Sequence, residues 1–218
     1  MSCSNLGALA LCVSILATFG RLVDAQSCSD VHFVFARGSI EPVGLGSVGT
    51  PLFAVLRAVL PGKNVSAYAV DYAADALQTS AGAGATDMTK HIIAYAAACP
   101  NTVFVIGGYS QGASVTDIAI GIKTILGNGQ VIPTSLAPRI KAVVTFGNPL
   151  GLFHLTVASA SSLYAAKSIE YCNKGDPVCR AGLNAAAHLT YPSTSVPEAA
   201  TRAAALVLGE QSILPTEA

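Results

Sequence analysis

The stretch VFVIGGYSQGASVTDIAI, Val103 to Ile120, decides how the chain folds. A β-branched apolar run ends at Gly107-Gly108, a single serine follows at Ser110, and apolar residues at helical spacing begin directly after Gln111-Gly112. Gly108-Tyr109-Ser110-Gln111-Gly112 fits G-x-S-x-G, a sharp strand-to-helix turn in which small flanking residues let the serine hydroxyl stand exposed at the end of a sheet. Gly and Ser are common enough in this chain for the pentapeptide to arise from composition, so the strand before it and the helix after it carry the reading.

Working outward, VHFVFA from Val31, VSAYAVDY from Val65, TVFVIGG from Thr102 and IKAVVTFG from Ile140 read as buried strands, with SIEYC from Ser168 as a fifth. Helices are expected between them. Thr50-Pro51 supplies an N-cap and first-turn pair opening LFAVLRAVL, Asp87–Ala98 and Gln111–Ile125 carry helical periodicity, and Ser195-Pro197 starts a last helix through Leu208. Alternating strands and helices predict βαβ units, a mainly parallel sheet covered on both faces and an α/β fold class.

At 218 residues, 52% of them apolar and 11% charged, the chain suits one domain rather than two. Lys+Arg and Asp+Glu number 12 each, so no charge footprint points to nucleic acid, an anionic membrane surface or a polyanionic substrate. An uncharged substrate fits best. Residues 1–25 read as a secretory signal: the apolar run Leu6–Phe19 is short for a membrane span, and Val23 and Ala25 suit cleavage after Ala25, although no Lys or Arg precedes the run. The mature domain is then 26–218, secreted and without stable membrane insertion, with a frayed tail from about residue 209. It retains Cys28, Cys99, Cys172 and Cys179, an even set that implies disulfides in a secreted chain. Three connectivities are open; one closes a short loop from Cys172 to Cys179 and leaves Cys28 with Cys99. No Cys or His spacing suits zinc, so neither metal nor cofactor is expected. Asn64-Val65-Ser66 is a glycosylation sequon at Asn64.

A serine hydroxyl is a weak nucleophile at neutral pH, so Ser110 requires a histidine base and a carboxylate to orient that base. On an α/β fold of this kind the chain order is serine, acid, histidine, and only His154 and His188 follow Ser110. The sole acid between Ser110 and His154 is Asp117, two turns along the same helix and out of reach. His188 has Asp117, Glu170 and Asp176 upstream. Glu170 falls inside the fifth strand, whereas Asp176 lies just past it in CNKGDPVC, at the carboxyl edge where α/β sites collect. The expected triad is Ser110, Asp176 and His188.

With those residues in place, the chain resembles the cutinase family of small secreted α/β-hydrolases, in the style of its oomycete, fungal and actinobacterial members. CSDVHFVFARGSIEPVGLG from Cys28, GGYSQGA from Gly107, YCNKGDPVC from Tyr171 and HLTY from His188 carry the likeness, which extends over nearly all of Cys28–Leu208. The resemblance implies a three-layer fold on a five-stranded parallel sheet, the same triad, bridges Cys28–Cys99 and Cys172–Cys179, and an oxyanion hole from Ser39 with the backbone amide of Gln111. Leu183 and Leu189, flanking His188, are candidates for an apolar substrate rim. The segments PVCRAGLNAAAH and GNPLGLFHLTVASASS depart from the family pattern as we align it and bear on that rim.

These readings predict a secreted, monomeric serine esterase that hydrolyses carboxylic esters through an acyl-enzyme, with cutin-type polyester of the plant surface as substrate and a role in cell wall degradation and virulence. An esterase of acetylated xylan and a lipase or phospholipase are the neighbouring alternatives. A secreted recognition protein on a hydrolase scaffold is the alternative of another class.

Overall fold

The computed structural model of the chain describes residues 28–210. The signal reading for residues 1–25 and most of the expected frayed tail lie outside them. Five strands form one parallel sheet: β1 (Val31–Ala36), β2 (Val65–Ala69), β3 (Val103–Tyr109), β4 (Ile140–Phe146) and β5 (Ser168–Tyr171), in the order β2-β1-β3-β4-β5. Among the described residues seven α-helices accompany them: α1 (Gly46–Ala58), α2 (Ala81–Ala98), α3 (Gln111–Ala119), the short α4 (Val157–Ala160), α5 (Ala185–Leu189) and α6 (Tyr191–Thr194), and α7 (Val196–Leu208).

The strand order explains the two layers of helix. The chain steps from β1 outward to β2 and then back across β1 to β3. Right-handed crossovers in opposite directions must lie on opposite faces of the sheet. Accordingly α1, joined by α7, packs on Phe33, Phe35, Val105 and Val144, while α2 and α3 pack on Val34, Phe104, Ile106 and Val143. The central strands are buried on both faces, which is why they read as unbroken apolar runs rather than alternations. The direction reverses between β1 and β3. Ala36 pairs with Gly108 at their carboxyl ends, so the segments that follow, one carrying Ser39 and the other Ser110, emerge side by side at the crevice.

Three helix boundaries differ from the sequence reading. Helix α1 begins at Gly46 rather than at Thr50, with Pro51 inside it. Its first turn is served by a distant acceptor: Glu41 Oε1 takes the Ser47 N–H at 2.7 Å, which overrides the local Thr-Pro signal. Helix α2 begins at Ala81, six residues before Asp87, because its first turns bury Ala81, Gly82, Gly84 and Ala85, small residues that give little apolar periodicity. Gly84 has no side chain because a Cβ there would lie 2.8 Å from Val115 of α3. Helix α3 stops at Ala119 instead of Ile125. The N–H of Ile122 bonds to the carbonyl of Asp117 at 2.8 Å and that of Gly121, at φ 86°, to Ile118 at 3.0 Å, a Schellman ending that the apolar residues beyond Ile120 had masked.

Candidate active site

Ser110 sits between β3 and α3 with φ 56° and ψ −121°, a left-handed backbone that a non-glycine residue adopts only under constraint. Both glycines of the pentapeptide answer to that turn. A Cβ on Gly108 would lie 1.9 Å from the Gly112 carbonyl oxygen, and one on Gly112 would lie 2.0 Å from that of Ala36. Strand, turn and helix are therefore packed backbone to backbone, and the strain at Ser110 is held by neighbours that leave it no alternative. The Ser110 N–H is anchored on the Phe146 carbonyl at 2.9 Å.

Asp176 and His188 meet as the sequence order anticipates in space: His188 Nδ1 lies 2.8 Å from Asp176 Oδ2. Asp176 is fully buried, and its second oxygen accepts the Val178 N–H at 2.7 Å. Tyr191 adds a hydroxyl that donates to Oδ2 at 2.5 Å. Burial by itself pushes the Asp176 carboxyl up, but the bonds from Tyr191, His188 and Val178 together hold it below the ordinary carboxylate value, so it stays charged. Its partner Tyr191 is pushed upward by burial and by the carboxylate beside it, and remains a donor. With Nδ1 committed to Asp176, the free Nε2 is the imidazole's proton-accepting position. No hydrogen bond joins Ser110 Oγ to the ring among the described residues; the serine and the Asp-His pair come to the same edge through their surroundings. Tyr109, next to the serine, donates its hydroxyl to the His188 carbonyl at 2.8 Å, and its ring lies 4.9 Å from the imidazole.

The loop that carries Asp176 is closed by a Cys172–Cys179 disulfide seven residues apart, and a second disulfide joins Cys28 to Cys99 across the start of β1 and the end of α2. Gly175, at φ 88°, turns the same loop. Ser39 follows Arg37 and Gly38 at the end of β1, and its hydroxyl donates to the Gln111 side chain at 3.1 Å. This loop is built from within: buried Arg37 reaches the carbonyls of Glu41, Val70 and Tyr72, and Glu41 Oε2 accepts the Gly38 N–H at 2.6 Å.

The remaining candidates separate cleanly. Glu170 accepts the Val157 and Ala158 N–H groups at 2.9 and 3.3 Å, opening α4, so both its oxygens are committed there. Asp117 is buried on α3, bonded to Asn148 at 3.2 Å, while His154 is exposed at the end of a 3₁₀ turn. Leu183 is fully exposed and Leu189 is 70% exposed, so neither is a core residue. Asn64 is exposed beside the start of β2, away from the crevice.

Sequence reasoning missed three contributors. Tyr191 and Tyr109 lie within HLTY and GGYSQGA, and a tyrosine three residues after the histidine is the available signal for the first. Gly147, φ 57°, is the third: a Cβ there would stand 2.6 Å from the His188 ring. Nothing in its local sequence announces that, because the imidazole arrives from 41 residues further along the chain.

The Cutinase family profile matches residues 27–207. The chain belongs to the cutinase family. A Cutinase of Kineococcus radiotolerans is 52% identical over 186 residues, an alignment covering 84% of this chain and 63% of that protein, so the chain spans less than two thirds of that relative. Among solved structures, a Trichoderma reesei cutinase in complex with a phosphonate inhibitor is 31% identical at a TM-score of 0.62, covering 85% of this chain and 78% of that one. An acetyl xylan esterase is 27% identical at a TM-score of 0.70, covering 85% of this chain and all of its own. The five-stranded parallel sheet and its flanking helices are the fold of these cutinase and acetyl xylan esterase structures.

Proposed function

We propose that the protein is a secreted serine esterase whose nucleophile is Ser110. The observation that carries this is the conjunction of a strained Ser110 at the strand-helix turn with the buried Asp176 carboxylate bonded to His188 at the same sheet edge. His188 Nε2 takes the Ser110 proton as Oγ attacks the ester carbonyl, and Asp176 holds the ring and stabilises its charged form. The tetrahedral oxyanion is met by the Gln111 N–H, at the start of α3, and by Ser39. His188 then protonates the leaving alcohol, water deacylates Ser110 by the reverse route, and the acid departs. The chemistry calls for no cofactor and no metal.

The substrate we assign is an apolar or polymeric ester of the cutin type. Ile40, Leu183 and Leu189 are 79%, 102% and 70% exposed on the segments that carry Ser39 and His188, and Leu77, 84% exposed, lies three residues before Ser80, which bonds the Gln111 side chain. Such a rim favours an acyl chain or a waxy surface over a polysaccharide. The likeness to acetyl xylan esterase supports a second reading, an acetyl ester on xylan. Product analysis on polymeric cutin and on acetylated xylan decides between them, with Ser110→Ala as control. Release of hydroxy fatty acids by the unaltered chain only supports the first reading; activity confined to acetyl groups supports the second. Retained hydrolysis in Ser110→Ala would remove the nucleophile. If Ser110→Ala loses hydrolysis but keeps every biological effect, the recognition role is the better description.

Secretion is supported by the two disulfides and by the apolar leader. No helix among the described residues is long and apolar enough to cross a membrane. We read the protein as acting as a monomer, with Asn64 open to glycosylation in a cell that has the machinery.

A further inference from the structure

Gln111 has two ends that face the crevice differently. Its backbone N–H belongs to the proposed oxyanion hole, while its side-chain carboxamide is buried and suspended between two hydroxyls. Ser39 Oγ donates to Oε1 at 3.1 Å, and Nε2 donates to Ser80 Oγ at 3.2 Å. Ser80 is itself pinned. Its N–H donates to Asp75 Oδ2 at 2.9 Å, its Oγ accepts the Asp75 N–H at 3.4 Å, and Asp75 Oδ1 gathers the Thr79 N–H and hydroxyl at 3.1 and 3.2 Å.

The surrounding backbone shows that this arrangement is imposed rather than relaxed. Ala74 and Gln78, on either side of Asp75, have φ of 50° and 59°, and Ile40, next to Ser39, has φ of 65°. Left-handed non-glycine residues persist only where neighbours over-determine them. The two strained loops are also tied to each other, with the Ile40 N–H on the Ala74 carbonyl at 2.7 Å.

We propose that the Gln111 side chain and Ser80, anchored by Asp75, form a positioning relay that fixes the Ser39 hydroxyl for the oxyanion. The inference rests on the serine-esterase reading above. A free serine samples three staggered χ1 wells, and a bond to Gln111 Oε1 selects one. At rest the Ser39 proton lies on that amide oxygen. A developing oxyanion is charged and is the stronger acceptor, so rotation about Cβ–Oγ alone transfers the hydrogen bond while the oxygen stays in place. The carboxamide is the group this task needs, since it accepts at one end and donates at the other. Ser80 does not touch the substrate and acts through Gln111.

The test is steady-state hydrolysis of a soluble nitrophenyl ester by Ser80→Ala, Ser80→Thr, Ser39→Ala and the Ser39→Ala/Ser80→Ala double variant, with thermal unfolding of each. Loss of an oxyanion donor costs on the order of 10²- to 10³-fold in kcat. Misplacing one retains part of that, so Ser80→Ala is expected to lower kcat about five- to tenfold at unchanged KM, and Ser80→Thr, which keeps the hydroxyl, to restore it. In the Ser39→Ala background Ser80→Ala should have no further effect. A Ser80→Ala defect that persists undiminished in that background overturns the relay. So does an unchanged Ser80→Ala kcat beside a lowered Ser39→Ala one, which leaves the esterase reading standing. An unchanged Ser39→Ala kcat removes the role of Ser39 in the oxyanion hole and the relay with it.

Discussion

His32 and His91 make the stability of this protein sensitive to acid in a calculable way. His32, on β1, is 3% exposed, stacks on Tyr95 at 3.8 Å and lies 2.8 Å through Nε2 from Nε2 of His91 on α2. The network fixes the proton directions. Ser66 Oγ donates to Ser29 Oγ at 2.7 Å, so it accepts from His32 Nδ1 at 2.6 Å, which leaves His32 Nε2 to accept from His91. A second proton on His32 would set N–H against N–H. Burial, and then the neighbouring His91 charge, lower the His32 pKa to about 4. A histidine favoured neutral in the folded state contributes stability that is present above its unfolded pKa of about 6.5 and is lost as pH falls from there towards 4. The loss reaches about 3 kcal/mol at pH 4 and is nearly absent at pH 7. Burial raises the Asp117 and Glu170 carboxyls, which act in the opposite sense over the same range, so the raw pH profile mixes the contributions. His32→Phe separates them, because phenylalanine keeps a ring against Tyr95 and cannot titrate. Urea denaturation of both proteins at pH 7 and pH 4 should show the stability gap narrowing by about 3 kcal/mol, with the unaltered chain the larger loser on acidification. A gap that stays constant between the two pH values would refute the reasoning, since it would mean that His32 accepts its proton as readily folded as unfolded.

Three further outcomes follow from the site. Tyr191→Phe removes the 2.5 Å bond to Asp176 while keeping the ring, and a hydrogen bond to a charged group is worth about 1.5 to 3 kcal/mol, so stability in urea should fall by that order and kcat with it. An unchanged kcat would show that Val178 and His188 suffice to hold the carboxylate. Gly147→Ala drives a methyl group to 2.6 Å from the imidazole, and ester hydrolysis should fall at least about 100-fold with the circular dichroism spectrum retained. Replacing Cys172 and Cys179 by serine opens a loop of seven-residue separation, for which chain entropy gives only about 2 kcal/mol. Activity measured well below the melting temperature should therefore drop further than that stability loss explains, because the bridge locates Asp176.

How much of this was legible in the chain follows from the range over which each feature is decided. Five strands, the parallel sheet and the turn at Ser110 are set by residues within a few positions of one another: β-branched runs, small residues at the elbow, helical spacing after it. The pairing of Asp176 with His188 was legible for a different reason. The chain offers few acids and histidines after Ser110; chain order on this fold leaves His188 with three acids upstream, and of these Asp176 falls in a loop just past the carboxyl end of a strand. Helix boundaries were less accessible, since Glu41 starts α1 from outside the helix and the small residues of α2 bury no large side chain to mark its beginning. Little of the supporting shell was legible beyond the position of Tyr191, three residues after His188. Tyr191 on Asp176, Gly147 beneath His188 and the Ser39–Gln111–Ser80 chain each join segments 15 or more residues apart, and whether they touch depends on strand order and crossover direction. Sequence alone determined which groups could do the chemistry, because local backbone sterics and composition are written residue by residue. Only the tertiary structure decided how those groups are held, because hydrogen-bond geometry at tenths of an ångström is a property of the packed whole.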